Sequence, residues 1–151
     1  MPVMAIDEIK RRVGTEVGVS SWLTMDQPRI DSFADATEDR QFIHVDPAAA
    51  ARTPFGGTVA HGFLSLSMLS RMAAEAMLLP ETMTMAVNYG FDRVRFISPV
   101  PAGKRIRGRF VLESVDEKAP GQLLVRHNVT VEIEGVDKPA LTAQWLGLLF
   151  A

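Results

Sequence analysis

The segment VAHGFLSLSMLSRMAAEAML, residues 59–78, decides the fold that we expect for this chain. Its apolar residues recur at intervals of three and four, which is the spacing of one helix face. They are Leu64, Met68, Leu69, Met72, Ala76 and Met77. The opposite face carries mainly serine and alanine rather than charge, so the pattern predicts a long helix that is largely buried.

The sequence before this helix predicts two further helices. Residues 27–37 have helical apolar spacing, with Asp26 as the N-cap and Pro28 in the first turn. Residues 46–52 offer Asp46 as the N-cap and Pro47 as the first residue of a short helix.

After Pro80 the pattern changes to that of strands. Apolar and β-branched runs at 84–100, 104–115, 122–135 and 139–151 are separated by segments rich in proline, glycine and aspartate. Residues 17–25 offer another strand. We therefore predict an α+β fold for the whole chain, 1–151, as one domain: an antiparallel sheet of about five strands wrapped around the long helix.

The composition excludes several classes of protein. Of the 151 residues 47% are hydrophobic and 23% are charged, the net charge is −2, and there is no cysteine. This balance does not favour a nucleic-acid or membrane partner, and thiolate chemistry is excluded. No apolar run has the length of a signal peptide core or a membrane span, so we expect a cytoplasmic protein.

The loop between the first and the long helix carries the candidate chemistry. Asp39 and His44 lie five residues apart, and a turn between them would aim both side chains at one water molecule, where one takes a proton and the other gives one. His61 and Gly62 open the long helix, whose free N–H groups would stabilise a developing oxyanion.

Other interpretations of the same residues stay open at this point. His44, Asp46 and His61 match the ligand types of a two-histidine, one-carboxylate metal site, although the spacing does not favour it. Asp39 could be an ordinary turn residue, and His44 a buried histidine with its hydrogen bonds satisfied. The serines of the long helix lack a nucleophile elbow, so they do not indicate nucleophilic catalysis.

Two segments of the sequence, one after the other along the chain, resemble parts of a known family. FADATEDRQFIHVDPAAAARTPFGGTVAHGFLSL, residues 33–66, resembles the hydratase signature of the MaoC-like dehydratases, the (R)-specific enoyl-thioester hydratases of the hot-dog fold. NYGFDRVRFISPVPAGKRIRG, residues 88–108, resembles a strand and turn of the same family. The stretch 41–46 is most similar to its nodulation-protein-N-like subgroup.

The resemblance implies roles for particular residues. Asp39 and His44 would be the catalytic acid and base, and the Gly62 N–H would form the oxyanion hole. Ser70 would lie in the wall of the active site. Many members have glycine before the catalytic aspartate and Asn-Pro after it, whereas this chain has Glu38 and then Gln41-Phe42, which bears on substrate range.

The implied reaction is reversible addition of water to a trans-2-enoyl-CoA, which makes the protein a hydro-lyase with no metal and no cofactor. The acyl group could be carried by coenzyme A or by an acyl carrier protein, and two subunits would form a homodimer. We list Phe42, Phe55, His61 and Ser70 as candidate substrate-binding residues. The alternatives are a hot-dog thioesterase and a non-catalytic acyl-thioester-binding subunit.

Charged residues on the strands have two interpretations. Arg105, Arg107 and Arg109 alternate along one strand, with Arg93 and Arg95 nearby, and could meet the phosphates of coenzyme A. A solvated strand face is the interpretation we favour, because positive charge is common on exposed strands.

Overall fold

The computed structural model describes all residues, 1–151. The helices are α1 (Ile6–Arg11), α2 (Gln27–Thr37), α3 (Phe42–Val45), α4 (Pro47–Ala50), α5 (Gly62–Ser67) and α6 (Leu69–Ala76). The strands are β1 (Val3–Met4), β2 (Glu16–Val19), β3 (Leu23–Thr24), β4 (Leu79–Pro80), β5 (Met85–Phe96), β6 (Arg105–Ala119), β7 (Gln122–Ile133) and β8 (Leu141–Phe150).

Six strands form one antiparallel sheet in the order β2, β6, β7, β8, β5, and β3 also pairs with β6. The count exceeds the expected five because residues 17–25 supply two short strands, β2 and β3, rather than one. β1 and β4 form a separate parallel pair. A sheet packed against central helices confirms the predicted α+β, hot-dog arrangement.

The long helix predicted over 59–78 is two helices, α5 and α6, that meet at Met68. The helical hydrogen bonds continue through the junction, from Met68 N–H to the Leu64 carbonyl and from Met72 N–H to the Met68 carbonyl, both at 3.0 Å. The helix begins later than predicted because Val59 and Ala60 donate their N–H groups to the carbonyls of Ile43 and Val100. These extended residues tie the start of the helix to the candidate site.

The core lies between α6 and the inner face of the sheet. Met72, Val131 and Ile133 are among its fully or almost fully buried residues. The approach of helix and sheet is close at β2, where a Cβ atom on Gly18 would lie 2.2 Å from the Ala76 carbonyl oxygen. Only glycine permits this contact, so the packing of α6 on β2 depends on it.

One carboxylate ties α6 to the loop between β2 and β3. The Glu75 carboxylate accepts hydrogen bonds from the backbone N–H of Ser21, at 2.7 Å, and from its hydroxyl, at 3.0 Å, and it pairs with Arg71. These contacts, led by the backbone N–H, lower the pKa of Glu75 to about 2.

The alternating arginines of β6 lie on the outer face of the sheet. Arg105 pairs with Glu134, Arg107 with Glu132 and Arg109 with Glu16. Their guanidinium groups are therefore engaged by carboxylates, which supports the interpretation of a charged, solvated face.

No helix of this structure has both the length and the apolar character needed to span a membrane.

Candidate active site

The end of α2 sets the position of Asp39. The helix begins where predicted, with the Asp26 carboxylate accepting a hydrogen bond from the Arg29 N–H at 3.0 Å. It ends at Glu38, whose φ of 61° and ψ of 14° are left-handed. The chain therefore turns sharply before Asp39, in a conformation that glycine adopts without strain.

His44 lies in the single turn of α3 and is buried, with 7% of its surface exposed. Its Nδ1 lies 2.7 Å from the Val59 carbonyl oxygen. Because a carbonyl can only accept, Nδ1 carries the proton and donates. In the neutral ring Nε2 then has a free lone pair, and in the imidazolium it carries a second proton, so only Nε2 is available for chemistry.

Gln27 is a site residue that the sequence did not reveal. Its amide nitrogen donates to the His44 carbonyl at 2.7 Å, and its amide oxygen accepts from the Thr58 hydroxyl at 2.5 Å. The side chain therefore bridges α2, α3 and the segment before α5, and it fixes the backbone of His44. No sequence pattern distinguishes a glutamine with this bridging role from one that follows an N-cap and simply faces solvent.

His61 is packed against the predicted catalytic pair, Asp39 and His44. It is 2% exposed, and its ring stacks on that of His44 with centroids 3.8 Å apart and planes inclined by 25°. Phe33 contacts its other side at 5.0 Å between centroids. The His61 Nε2 donates to the backbone carbonyl of Asp39 at 3.0 Å, whereas Nδ1 is buried without a partner. His61 thus contacts both members of the predicted pair.

The fold brings Asp39, His44 and His61 together. One side-chain oxygen or nitrogen from each lies within 4.8 Å of the others, with the aspartate exposed and the histidines buried. Asp46, which the metal interpretation used, instead caps α4 by accepting the Ala49 N–H at 2.9 Å. The ligand set His44, Asp46 and His61 is therefore not the one that the fold assembles.

Gly62 is the first residue of α5 and follows His61 directly. As the first helical residue, it has an N–H with no acceptor inside the helix. A Cβ atom here would lie 2.9 Å from the Phe96 ring. The residue borders a cavity of about 300 Å³, which we call the entrance cavity. The cavity is also lined by Phe55, Ala60, Ser65, Phe96 and Pro99, among others.

The remaining predicted residues fall in different places. Phe55 lines the entrance cavity. Ser70 lies two turns further along the helix and lines two other cavities. Phe42 is 47% exposed and lines none of these cavities, because it opens α3 on the side facing solvent.

Comparison with known proteins places the chain in a family. Residues 8–134 match the family model described as "MaoC like domain". The chain is 52% identical over 149 residues to nodulation protein N of Rhizobium meliloti (strain 1021), a match covering 98% of this chain and 92% of the relative. It is 41% identical over 140 residues to 3-hydroxyacyl-thioester dehydratase Z of Mycobacterium tuberculosis (strain ATCC 25618 / H37Rv), covering 93% and 92% respectively.

The fold has solved counterparts as well. An Archaeoglobus protein named monoamine oxidase regulatory protein superposes with a TM-score of 0.82 and 23% identity, over 99% of this chain and 96% of that one. The chain therefore belongs to the MaoC-like family of hot-dog dehydratases and hydratases that act on acyl thioesters, with nodulation N proteins among its near relatives.

Proposed function

We propose that the protein is a hydro-lyase that reversibly adds water to a trans-2-enoyl thioester and forms an (R)-3-hydroxyacyl thioester. The observation that carries this proposal is the convergence of the Asp39 carboxylate with the His44 imidazole, whose Nδ1 is held by the Val59 carbonyl at 2.7 Å. One carboxylate and one oriented imidazole can activate a single water and supply a proton.

The backbone N–H of Gly62 accounts for activation of the substrate. In the proposed pose the thioester carbonyl lies in the entrance cavity and accepts this N–H, which makes C3 electrophilic and stabilises the enolate that follows. A side chain at Gly62 would have to displace the Phe96 ring, which lies 2.9 Å from the position of a Cβ and lines the same cavity, so glycine keeps the surroundings of this N–H unobstructed.

The protons balance over the proposed reaction. Asp39 takes a proton from the water molecule while the water oxygen bonds to C3. The His44 imidazolium gives its Nε2 proton to C2. Asp39 then holds a proton and His44 is neutral, and transfer of that proton between them, directly or through water, restores the starting state. The Nδ1 of His44 is engaged by the Val59 carbonyl, so the proton that His44 gives to C2 in this scheme comes from Nε2.

We propose a homodimer formed through β5. This strand is 12 residues long and is the last strand of the sheet, and nearly all its residues are exposed on both faces. Val87, Tyr89 and Phe91 are large exposed apolar side chains on it. Such an edge pairs readily with a second strand. Pairing with β5 of another copy around a two-fold axis would extend the sheet and cover these residues.

The acyl chain is proposed to follow α5 and α6. Successive parts of these helices line three cavities: the entrance cavity, a middle cavity of about 170 Å³ and a distal cavity of about 320 Å³. The middle cavity is lined by Leu66 and Ser67, one turn beyond Gly62, and shares Ser70 with the distal cavity. We propose that coenzyme A carries the acyl group and that the protein works in the cytoplasm. The proposed reaction needs no metal or redox cofactor.

The test is the fate of crotonyl-CoA with the native protein. The proposal predicts loss of the conjugated enoyl-thioester absorbance, formation of (R)-3-hydroxybutyryl-CoA and no free thiol. Release of thiol would identify a thioesterase, and binding without conversion would identify a non-catalytic subunit. Asp39→Asn should remove the activity, whereas Asp46→Asn, the same change at a helix cap where asparagine is equally suited, should retain it.

A further inference from the structure

The distal cavity has a polar group that the proposed reaction does not use. His127 lies on β7, points to the inner face of the sheet and is 2% exposed. It lines the distal cavity together with apolar residues such as Ala73, Met77 and Leu149. Burial lowers the pKa of the His127 imidazole to about 4, so the ring is neutral at physiological pH and offers one donor and one acceptor.

No protein group hydrogen-bonds to the His127 ring. Its contacts are apolar: Phe110 approaches edge to face, with centroids 6.4 Å apart. The indole Nε1 of Trp145, its neighbour across the β7–β8 pair, is buried without a partner. Buried polar groups are nearly always hydrogen-bonded, since leaving one unpaired costs about 1–3 kcal/mol. Trp145 and His127 both line a cavity of about 320 Å³, so a polar atom of a ligand in this cavity can supply the partner that the protein does not.

The position of the cavity identifies the part of the ligand that reaches it. Ser70 borders the distal cavity and lies eight residues after Gly62, which is roughly 12 Å along a helix at 1.5 Å per residue. An extended chain advances about 1.2 Å per bond, as the polypeptide backbone does, so roughly ten bonds separate the thioester carbonyl from this level.

None of the side chains that line the distal cavity is charged, and Ser70, Asn88 and Trp145 are its other hydrogen-bonding side chains. The Met1 ammonium also borders the cavity, where it is exposed and donates to the Ala74 carbonyl. A charged acyl terminus such as a carboxylate would lose its hydration here without a cationic side chain to pair with. A hydroxyl or keto oxygen carries no charge that would have to be desolvated, and it can form a hydrogen bond with the neutral His127 imidazole.

We infer that His127 is a specificity-determining residue, and that the substrate is a medium-chain enoyl thioester with an uncharged oxygen, hydroxyl or keto, near the far end of its acyl chain. The inference rests on the proposed function for the position of the thioester, whereas the cavity and its unpaired histidine are features of the fold itself.

Equilibrium binding tests the inference without requiring turnover. The probes are decanoyl-CoA and ω-hydroxydecanoyl-CoA, two saturated thioesters that cannot be hydrated, and the measurement is isothermal titration calorimetry of the native protein. A site that hydrogen-bonds a ligand group discriminates against the analogue without it, so we expect the hydroxy ester to bind at least about tenfold more tightly.

Variants at position 127 assign the preference to the imidazole. In His127→Leu the cavity becomes wholly apolar at this point, so the preference should vanish or reverse, and His127→Gln, which keeps a donor and an acceptor, should retain part of it. Leu112→Val is the matched control: Leu112 faces His127 across the β6–β7 pair, is buried and does not line the cavity, so the ratio should stay as in the native protein.

Three results would overturn the inference: native protein that binds the two esters equally or favours the plain one, a preference that survives in His127→Leu, or no binding of either ester. Each is separate from failure of the proposed function, which the crotonyl-CoA assay reports. Replacement by leucine should not impair folding, because removing an unpaired buried polar group in favour of an apolar one of similar size tends to stabilise a protein.

Discussion

The rings of His44 and His61 stack in the interior with their centroids 3.8 Å apart, and His61 at the same time donates a hydrogen bond to the Asp39 carbonyl at 3.0 Å. One buried histidine therefore fixes both members of the proposed catalytic pair. We regard His61 as a positioning residue, which differs from the substrate-binding role that the sequence suggested.

The positioning role of His61 gives the first prediction. His61→Phe keeps a ring against His44 but loses the donor to Asp39, so kcat should fall about ten- to hundredfold with little change in KM, as expected when a catalytic group is misplaced. His61→Gln, which retains an N–H donor, should recover part of the rate. Steady-state kinetics on crotonyl-CoA would contradict the role if His61→Phe had native kcat.

Gly62 gives the second prediction. In Gly62→Ala the new methyl group would lie 2.9 Å from the Phe96 ring, which is half exposed and can move, so the protein should fold. The displaced ring and the methyl group would narrow the entrance cavity, and kcat/KM should fall about tenfold or more. Gly57→Ala is the control, because a Cβ there meets nothing within 4 Å. Equal kinetics for the two variants would argue against substrate approach at Gly62.

Glu38 gives a prediction about stability. Its left-handed φ of 61° strains a side-chain-bearing residue. Glu38→Gly should therefore raise the free energy of unfolding by about 1 kcal/mol, the strain being partly offset by the greater flexibility of glycine in the unfolded chain. Glu38→Gln removes the charge but keeps the strain, so it should not stabilise. Urea denaturation of the native protein and the two variants measures the difference in the free energy of unfolding. Equal midpoints for the native protein and Glu38→Gly would refute the strain at this residue.

The buried imidazole of His127 predicts a pH dependence of stability. The unfolded chain binds a proton near the ordinary pKa of 6.5, whereas burial holds the folded value at about 4. Stability is therefore lost as the pH falls from about 6.5 to about 4 and is unaffected above that window. Between about pH 7 and about pH 5 this amounts to about 2 kcal/mol.

The contribution of His127 is measured as the difference between native protein and His127→Leu in urea denaturation at a fixed protein concentration. Leucine does not titrate, so acidification from about pH 7 to about pH 5 should favour the variant by about 2 kcal/mol relative to native. A difference that stays constant over this range would show that the histidine is hydrated in the folded state.

Much of the fold could be predicted because its elements follow local rules. The cap at Asp26 and the apolar period placed α2 over 27–37. Val129, Val131 and Ile133 alternate along the sequence with Thr130 and Glu132, and they are the buried residues of this part of β7. The break at Met68 and the short N-terminal helix α1 were not predicted, because tertiary packing rather than local pattern decides them.

The candidate site was predictable only in part. Asp39 and His44 are close in sequence, so a turn could bring them together, and the family resemblance pointed to the same residues. Gln27 contacts His44 across 17 residues, and His127 reaches its cavity through sheet pairing. Such contacts depend on the register of distant elements, which residue types and spacing do not specify.

The most direct test of the central claim is a double-mutant cycle on Asp39 and His44 with crotonyl-CoA. If the two side chains act as a unit on one water, Asp39→Asn and His44→Gln should each lower kcat/KM about a hundredfold or more, and the double variant should be little worse than either. Losses that multiply in the double variant, or a single variant that keeps native activity, would contradict the claim that this pair performs the hydration.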